Sequence, residues 1–347
     1  MTTYILVCAL IFVKWVAPSL EDQSNMKIGA DSSTYIYMAE VVRGERNDPF
    51  VLAALASFPN TYWMPVLFAL ALKSTFLMAL ANSLIFWLAI ELYRRSSHIN
   101  VGLFLFLLLL NPTTTVSLLT VNKEIVDLFV VALFCYFLST GRKWVLLIAL
   151  ILSAVNRYEV FVIMLTFIFM RSRLNPLRRR RYLTLCILIL LLSIFLPVLA
   201  ARSLSYRFEE ASGAGLIKFL DTLEMHYLFA LAVIPKILQN MFAELLNVSG
   251  WGQYTATDIS NSYVLFFNNF ASMIAVLVLF KKRLMKISSD WIYLSFTAAV
   301  FMAISLVNQP RYFYLCFALF CFQAAHPAAV RYRRTRLIPT GEIVANS

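Results

Sequence analysis

The stretch "SLLTVNKEIVDLF" (117–129) sets Lys123, Glu124 and Asp127 between two strongly apolar runs. A carboxylate one helical turn inside an apolar segment costs up to about 2.5–3.5 kcal/mol on insertion scales, so Asp127 needs a cationic partner. Lys123 at i−4, or Lys73 from an earlier segment, is the expected one. Asp127 then reads either as a structural ion or as an active-site carboxylate, and both readings stay open. Three further polar constellations punctuate the chain. "SLEDQSNMKIGADSSTYIYMAE" carries Glu21, Asp22, Asp31, Tyr35 and Glu40. "NRYE" carries Asn156, Arg157 and Glu159, and "NQPRYF" carries Asn308, Gln309, Arg311 and Tyr312. Arg and Lys are donors for phosphate oxygens. Carboxylates near them can take a proton from a hydroxyl or hold it by hydrogen bonds. Together these groups suit a substrate with both a phosphate and hydroxyls. The matching chemistry is a transfer in which a base deprotonates an acceptor hydroxyl while cations, or a metal, stabilise the departing phosphate.

The elements that must position these residues are apolar helices. The chain has 347 residues, of which 61% are hydrophobic and 14% charged, with a mean hydropathy of +0.76. A soluble domain carries about 25% charged residues and shows its apolar residues in stripes. Here whole segments are apolar on every face, the pattern of helices solvated by lipid. The expected fold is all-α: a polytopic transmembrane bundle forming one integral membrane domain over residues 1–347. A span takes about 20 apolar residues. Segments are expected at 3–20, 64–91, 101–120, 124–140, 144–156, 158–170, 182–201, 262–280, 290–306 and 312–330. Residues 3–20 read as an uncleaved first span, because "MTTY" lacks a basic start and Lys14 interrupts the apolar run. Residues 144–170 could instead be one long helix bent at "NRYE".

Charge arbitrates between these topologies. The net charge is +12, and basic residues collect on the cytoplasmic side of membrane proteins. With ten spans and a cytoplasmic N-terminus, every basic cluster falls on that side. The clusters are Arg94–Arg95, Arg142–Lys143, the loop 171–181, the loop 281–286 and the segment 331–347. Merging 144–170 would put "GRK" and "RSRLNPLRRRR" on opposite sides, so two segments are expected there. The outer loops are then 21–63 and 202–261, and the second contains the amphipathic stretch "MHYLFALAVIPKILQNMFAELL", expected to lie in the interface or re-enter. The basic excess is topological and asks for no nucleic-acid partner. Five cysteines without metal spacing and three scattered histidines argue against a Cys/His metal site or a Ser/His triad. All four constellations fall on the outer face.

This ordering resembles the polytopic, lipid-linked-sugar glycosyltransferases of the GT-C type and the related O-antigen and exopolysaccharide polymerases (Wzy- and EpsG-like). The residues that carry the resemblance are the acidic first outer loop "GADSSTYIYMAE", the "NKE" turn after the Pro-containing "LLNPTTTVSLLTVNKE", the Arg of "NRYE", and the late outer "NQPRYFYLCF". The resemblance implies a membrane enzyme of cell-surface glycan synthesis. It would use polyprenyl-(di)phosphate-linked sugars at the outer face of the cell inner membrane, together with polysaccharide-assembly proteins. By resemblance Asp31 is the first-loop base or metal ligand, Arg157 and Arg311 are the phosphate-contacting arginines, and Lys123 and Glu124 are the second polar turn. From their own chemistry and place, Glu124 and Asp127 are further candidate catalytic carboxylates, and Lys123, Glu159, Gln309, Tyr35 and Asp22 are candidate substrate contacts. A divalent cation is one option for a cofactor, and the metal requirement stays open. Ser32 and Ser33 follow Asp31 where the GT-C pattern places adjacent acids, and no C-terminal outer domain is expected. Both departures favour the polymerase branch. A transporter or flippase for lipid-linked oligosaccharide is the competing class, and a scaffold in a glycan-assembly complex is a third.

Overall fold

A computed structural model of the chain describes residues 30–52, 59–70, 74–203, 216–246, 256–304 and 313–327. Among them lie fourteen helices of eight residues or more. The first seven are α1 (Ala30–Val42), α2 (Pro59–Leu70), α3 (Thr75–Ser96), α4 (Val101–Leu110), α5 (Pro112–Leu119), α6 (Glu124–Thr140) and α7 (Lys143–Asn156). The rest are α8 (Tyr158–Arg171), α9 (Arg181–Ser203), α10 (Leu216–Met225), α11 (Phe229–Leu246), α12 (Ala256–Lys281), α13 (Asp290–Met302) and α14 (Tyr314–Ala324). No strand occurs among the described residues, and the chain is all-α. The expected span 3–20 and basic segment 331–347 lie outside the described residues, as does Lys73.

Helix α6 is the hub. It packs on α3, α5, α7 and α14, and its first five residues are all buried. It stops at Gly141, whose φ of 71° places its N–H on the Phe137 carbonyl at 2.7 Å. That left-handed C-cap turns the chain straight into α7. α7 runs back along α6, because its last residue, Asn156, donates to Asp127 Oδ1 at 2.7 Å. α8 then reverses again and lies beside α6, with the Phe134 and Phe167 ring centroids 5.9 Å apart. Residues 144–170 are therefore two antiparallel helices, split at the single extended residue Arg157 (φ −156°, ψ 106°).

Two expected segments are divided. The run 64–91 is not one helix: α2 ends at Leu70, and α3 starts after Ser74, whose hydroxyl accepts from the Leu77 N–H at 3.3 Å. α2 packs on α1 and α7, away from α3's main partner α6. The run 101–120 bends by 84° between α4 and α5. Pro112 supplies no N–H to continue α4, and it opens α5 at a position where none is required. Asn111 Oδ1 caps the new helix at the Thr113 N–H (2.9 Å), and the Thr114 hydroxyl reaches back to the Leu108 carbonyl (2.7 Å).

The bundle has two chemically distinct ends. At one, Arg171 and Arg181 hold Asp290 at 3.0 and 2.6 Å, and Lys282 Nζ donates to the Ala324 and His326 carbonyls at 2.8 and 3.0 Å. Ser97 meets His326 there at 2.8 Å. The basic segments 94–95, 171–181 and 281–286 thus share one end. The other ends of α3, α6 and α8 carry Asn82, Glu124 and Arg157.

Burial runs inside out. Asn82 of α3 is fully buried, whereas Leu80, Leu84 and Trp87 of the same helix are exposed. Lys236 and Asn240 of α11 are buried, and Leu231, Ile234 and Leu238 are exposed. By length and composition one described helix, Phe76–Ser96, is able to cross a membrane alone. The bent pair α4–α5 passes the same test when counted as one unit, and the remaining apolar helices are shorter.

The Asn82 side chain closes the C-terminal end of α5, donating to the Thr120 and Ser117 carbonyls at 2.9 and 3.1 Å. Helix-end carbonyls buried without a donor are destabilising. Asn82→Ala is expected to lower stability by about 1–3 kcal/mol, read from thermal or denaturant unfolding in detergent. Unchanged stability would mean the α5 end is satisfied by other groups.

Candidate functional site

The polar end is built on two helix starts and one helix break. Asn122 Oδ1 accepts the Lys123 N–H at 3.0 Å, which holds the turn before α6. Glu124 and Asp127 then fall in the first turn of α6. The unpaired N–H groups of a helix start favour negative charge, so the two acids sit where the backbone field stabilises them. Arg157 is at once the C-cap of α7 and the N-cap of α8. Its extended backbone frees the side chain from either helix and directs it across to α6.

There Arg157 bridges both acids. Its Nε lies 3.1 Å from Asp127 Oδ2, and its Nη2 lies 3.6 Å from Glu124 Oε1. The side chains of Glu124 and Asp127 are 2% and 1% exposed, and that of Arg157 is 12% exposed. This burial places the Arg157 guanidinium inside the bundle. It also supplies Asp127 with the cation that local spacing assigned to Lys123 or Lys73. Lys123 is itself buried, with its ammonium over the Tyr35 ring at 5.4 Å from the centroid. That contact ties α1, and with it the first constellation, to the second.

Three of the four constellations therefore meet: Tyr35 from the first, Lys123, Glu124 and Asp127 from the second, Asn156 and Arg157 from the third. Glu159 stands in the first turn of α8 with one buried, unpartnered oxygen, Oε2. Asp31 belongs to α1, and only its backbone is described. Asp22, Gln309 and Arg311 lie outside the described residues. The segment that follows the fourth constellation does reach this region, since the Tyr314 hydroxyl meets Thr114 Oγ1 of α5 at 3.0 Å. Among the described residues no three Asp, Glu, His or Cys side chains converge as a metal site.

Several members are invisible to motif reading. Asn156 orients Asp127, and Asn82 and Ser117 buttress the turn that precedes α6. A second buried ion pair, Glu224 with Lys236, joins α10 to α11. Behind it run Asn240, Asn269 and Asn268. Asn269 donates to the Asn240 carbonyl at 3.1 Å, and Thr113 donates to Asn268 Oδ1 at 3.0 Å. The stretch expected to lie in the interface thus turns its polar side into the bundle. Its signal in the sequence was the i, i+4 spacing of Lys236 and Asn240 on a mostly apolar helix.

In chemical terms the site combines buried carboxylates, one shared guanidinium, an ammonium and amide groups, a set able to bind hydroxyls and move a proton. Comparison with known protein families, with curated proteins and with solved structures returns no match.

Removing one partner of a buried ion cluster costs about 3–5 kcal/mol, whereas removing charges in balance costs far less. Arg157→Leu is expected to lose stability in that range, and Arg157→Leu with Asp127→Leu to lose less than Arg157→Leu alone. Unfolding in detergent measures both. A double variant as unstable as the sum of the singles would show that the two side chains are not coupled.

Proposed function

We propose that the chain is an integral membrane protein of the cell inner membrane that transfers or polymerises sugars from polyprenyl-(di)phosphate carriers at the outer face. The membrane part of this reading rests on the inside-out burial. In water a helix hides its leucines and exposes its polar groups; α3 buries Asn82 while exposing Leu80, Leu84 and Trp87, and α11 buries Lys236 and Asn240 while exposing Leu231, Ile234 and Leu238. Leu147, Ile148 and Ile151 of α7 are likewise exposed while Ser153 and Asn156 are buried. An exposed apolar surface on this scale needs lipid around it. On this view the short apolar helices are spans or half-spans of a bundle of about ten, with the basic end in the cytoplasm.

The enzymatic part rests on one observation: two buried carboxylates gathered around Arg157 at the end opposite the basic loops. Glycosyl transfer from a phosphate leaving group needs a base for the acceptor hydroxyl and positive charge for the phosphate. One of the two acids supplies the base. Lys123, and Arg311 by its motif, supply positive charge. The exposed leucines and phenylalanines on the outer faces of the helices suit a long isoprenoid tail.

A second reading has its own support. The 84° break between α4 and α5 resembles the discontinuous helices on which transporters place their substrates. Vesicles reconstituted with the protein separate the two. Movement of a lipid-linked glycan across the bilayer with no new glycosidic bond favours a flippase, and a new bond favours the transferase.

The site makes a specific demand on cells. Arg311→Ala and Asp31→Asn are each expected to abolish polymeric surface glycan while protein levels stay normal. Normal long-chain glycan in both variants rejects the site. Single cysteines at 142 and 283 should react only with reagents admitted to the cytoplasm, and labelling from outside would reverse the orientation.

A further inference from the structure

The two carboxylates around Arg157 are not equivalent. Asp127 accepts the Asn156 amide through Oδ1 at 2.7 Å, and its Oδ2 lies 3.1 Å from Arg157 Nε in an ion pair without hydrogen-bond geometry. Glu124 has only the longer 3.6 Å approach to Arg157 through Oε1. Its other oxygen, Oε2, is buried and accepts no hydrogen bond. Asp127 Oδ2, Asn156 Oδ1 and Glu159 Oε2 are further buried acceptors without a hydrogen-bond donor, but among the described residues Glu124 alone of the two acids at Arg157 accepts no side-chain hydrogen bond. A buried acceptor left without a donor is destabilising, and unsatisfied groups of this kind collect where a ligand completes them.

The charge balance says what kind of ligand fits. Arg157 is already engaged by two anions, so a phosphate placed against it would bring a third negative group to a site that is short of hydrogen donors. A hydroxyl brings a donor and no charge. We propose that Glu124 is the proton acceptor of this site, that Asp127 and Asn156 are positioning residues for Arg157, and that the group bound against Glu124 Oε2 is a neutral sugar hydroxyl. This rests on the glycosyl-transfer reading above and separates its parts. The phosphate of the donor is held elsewhere, and the Arg157 cluster is the acceptor subsite.

The step balances without any further reactant. The acceptor hydroxyl gives its proton to Glu124 Oε2 as its oxygen forms a bond to the anomeric carbon. The bond from that carbon to the phosphate oxygen breaks, and its electron pair leaves on the phosphate. Asp127 and Asn156 hold the guanidinium in place beside Glu124 throughout.

The test uses the full-length protein in two arms. In the first, thermal unfolding is followed in detergent. Glu124→Gln removes a poorly compensated buried charge and is expected to leave Tm equal to or above that of the wild type. Asp127→Asn weakens the hold on Arg157 and is expected to lower Tm. The reverse order overturns the assignment, whether or not the protein makes glycan. In the second, membranes carrying each variant are supplied with lipid-linked glycan extracted from the host, and the rate of chain extension is measured against pH. Glu124→Gln is expected to lose at least about a hundredfold in rate, within the range removed with a general base. Asp127→Asn is expected to stay active, more slowly. A Glu124→Gln variant that extends chains within about tenfold of the wild-type rate overturns the proposal. If the wild type forms no glycosidic bond, the transferase reading falls, and with it the role of Glu124 as base. The Tm order then still decides which acid carries the structural load.

Discussion

Arg157 is the residue on which the geometry of the polar end depends. It is a break in a helix and a counter-ion at once, and neither property works without the other. Were α7 and α8 one continuous helix, the guanidinium would project at the pitch of its neighbours and would not reach both Glu124 and Asp127. Were the two acids absent, an arginine at 12% exposure would have no compensation for losing its water. The antiparallel return of α7 and α8 along α6 therefore brings the charges together, and the charges hold that return in register.

A second constraint follows from the arrangement of surfaces. The bundle buries amides and ions between helices beside an apolar core, and leaves many leucines exposed on its outer faces, so apolar side chains occur on both sides. Packing of small residues and hydrogen bonds carry more of the specificity. Ala132, Ala149, Ala271, Ala275 and Ala298 are all essentially buried. Asparagine recurs at helix contacts: Asn82 on α5, Asn156 on α6, Asn268 on α5, Asn269 on α11. An amide is suited to the task because it both donates and accepts while carrying no charge to desolvate.

Much of this was legible in the sequence where local chemistry decides. The limits of α6, α7 and α8 could be read within a residue, because Gly141 and the polar "NR" pair interrupt the apolar runs that define them. The division at Arg157 followed from charge, since only two antiparallel helices keep the basic clusters together. The division between α2 and α3 was not legible: Lys73 and Ser74 are a weak mark in a run that stays apolar on both sides. The guanidinium that pairs with Asp127 was missed because spacing along one helix favours Lys123, while Arg157 comes from two helices later. Glu224 and Lys236 escaped for a related reason. Each looks like an interfacial charge until the fold turns it inward.

The bend between α4 and α5 also bears on how the molecule is made. Asn82, which closes the far end of α5, leaves the ribosome before α5 does. Asn268, which receives Thr113 at its near end, lies 155 residues further along the chain. For most of synthesis α5 is thus closed at one end only, and its other end relies on Asn111. The order in which the chain emerges is not the order in which its hydrogen bonds can close. The segment 101–119 must wait in a provisional position, sheltered by α3 and α6, until α12 arrives to complete it.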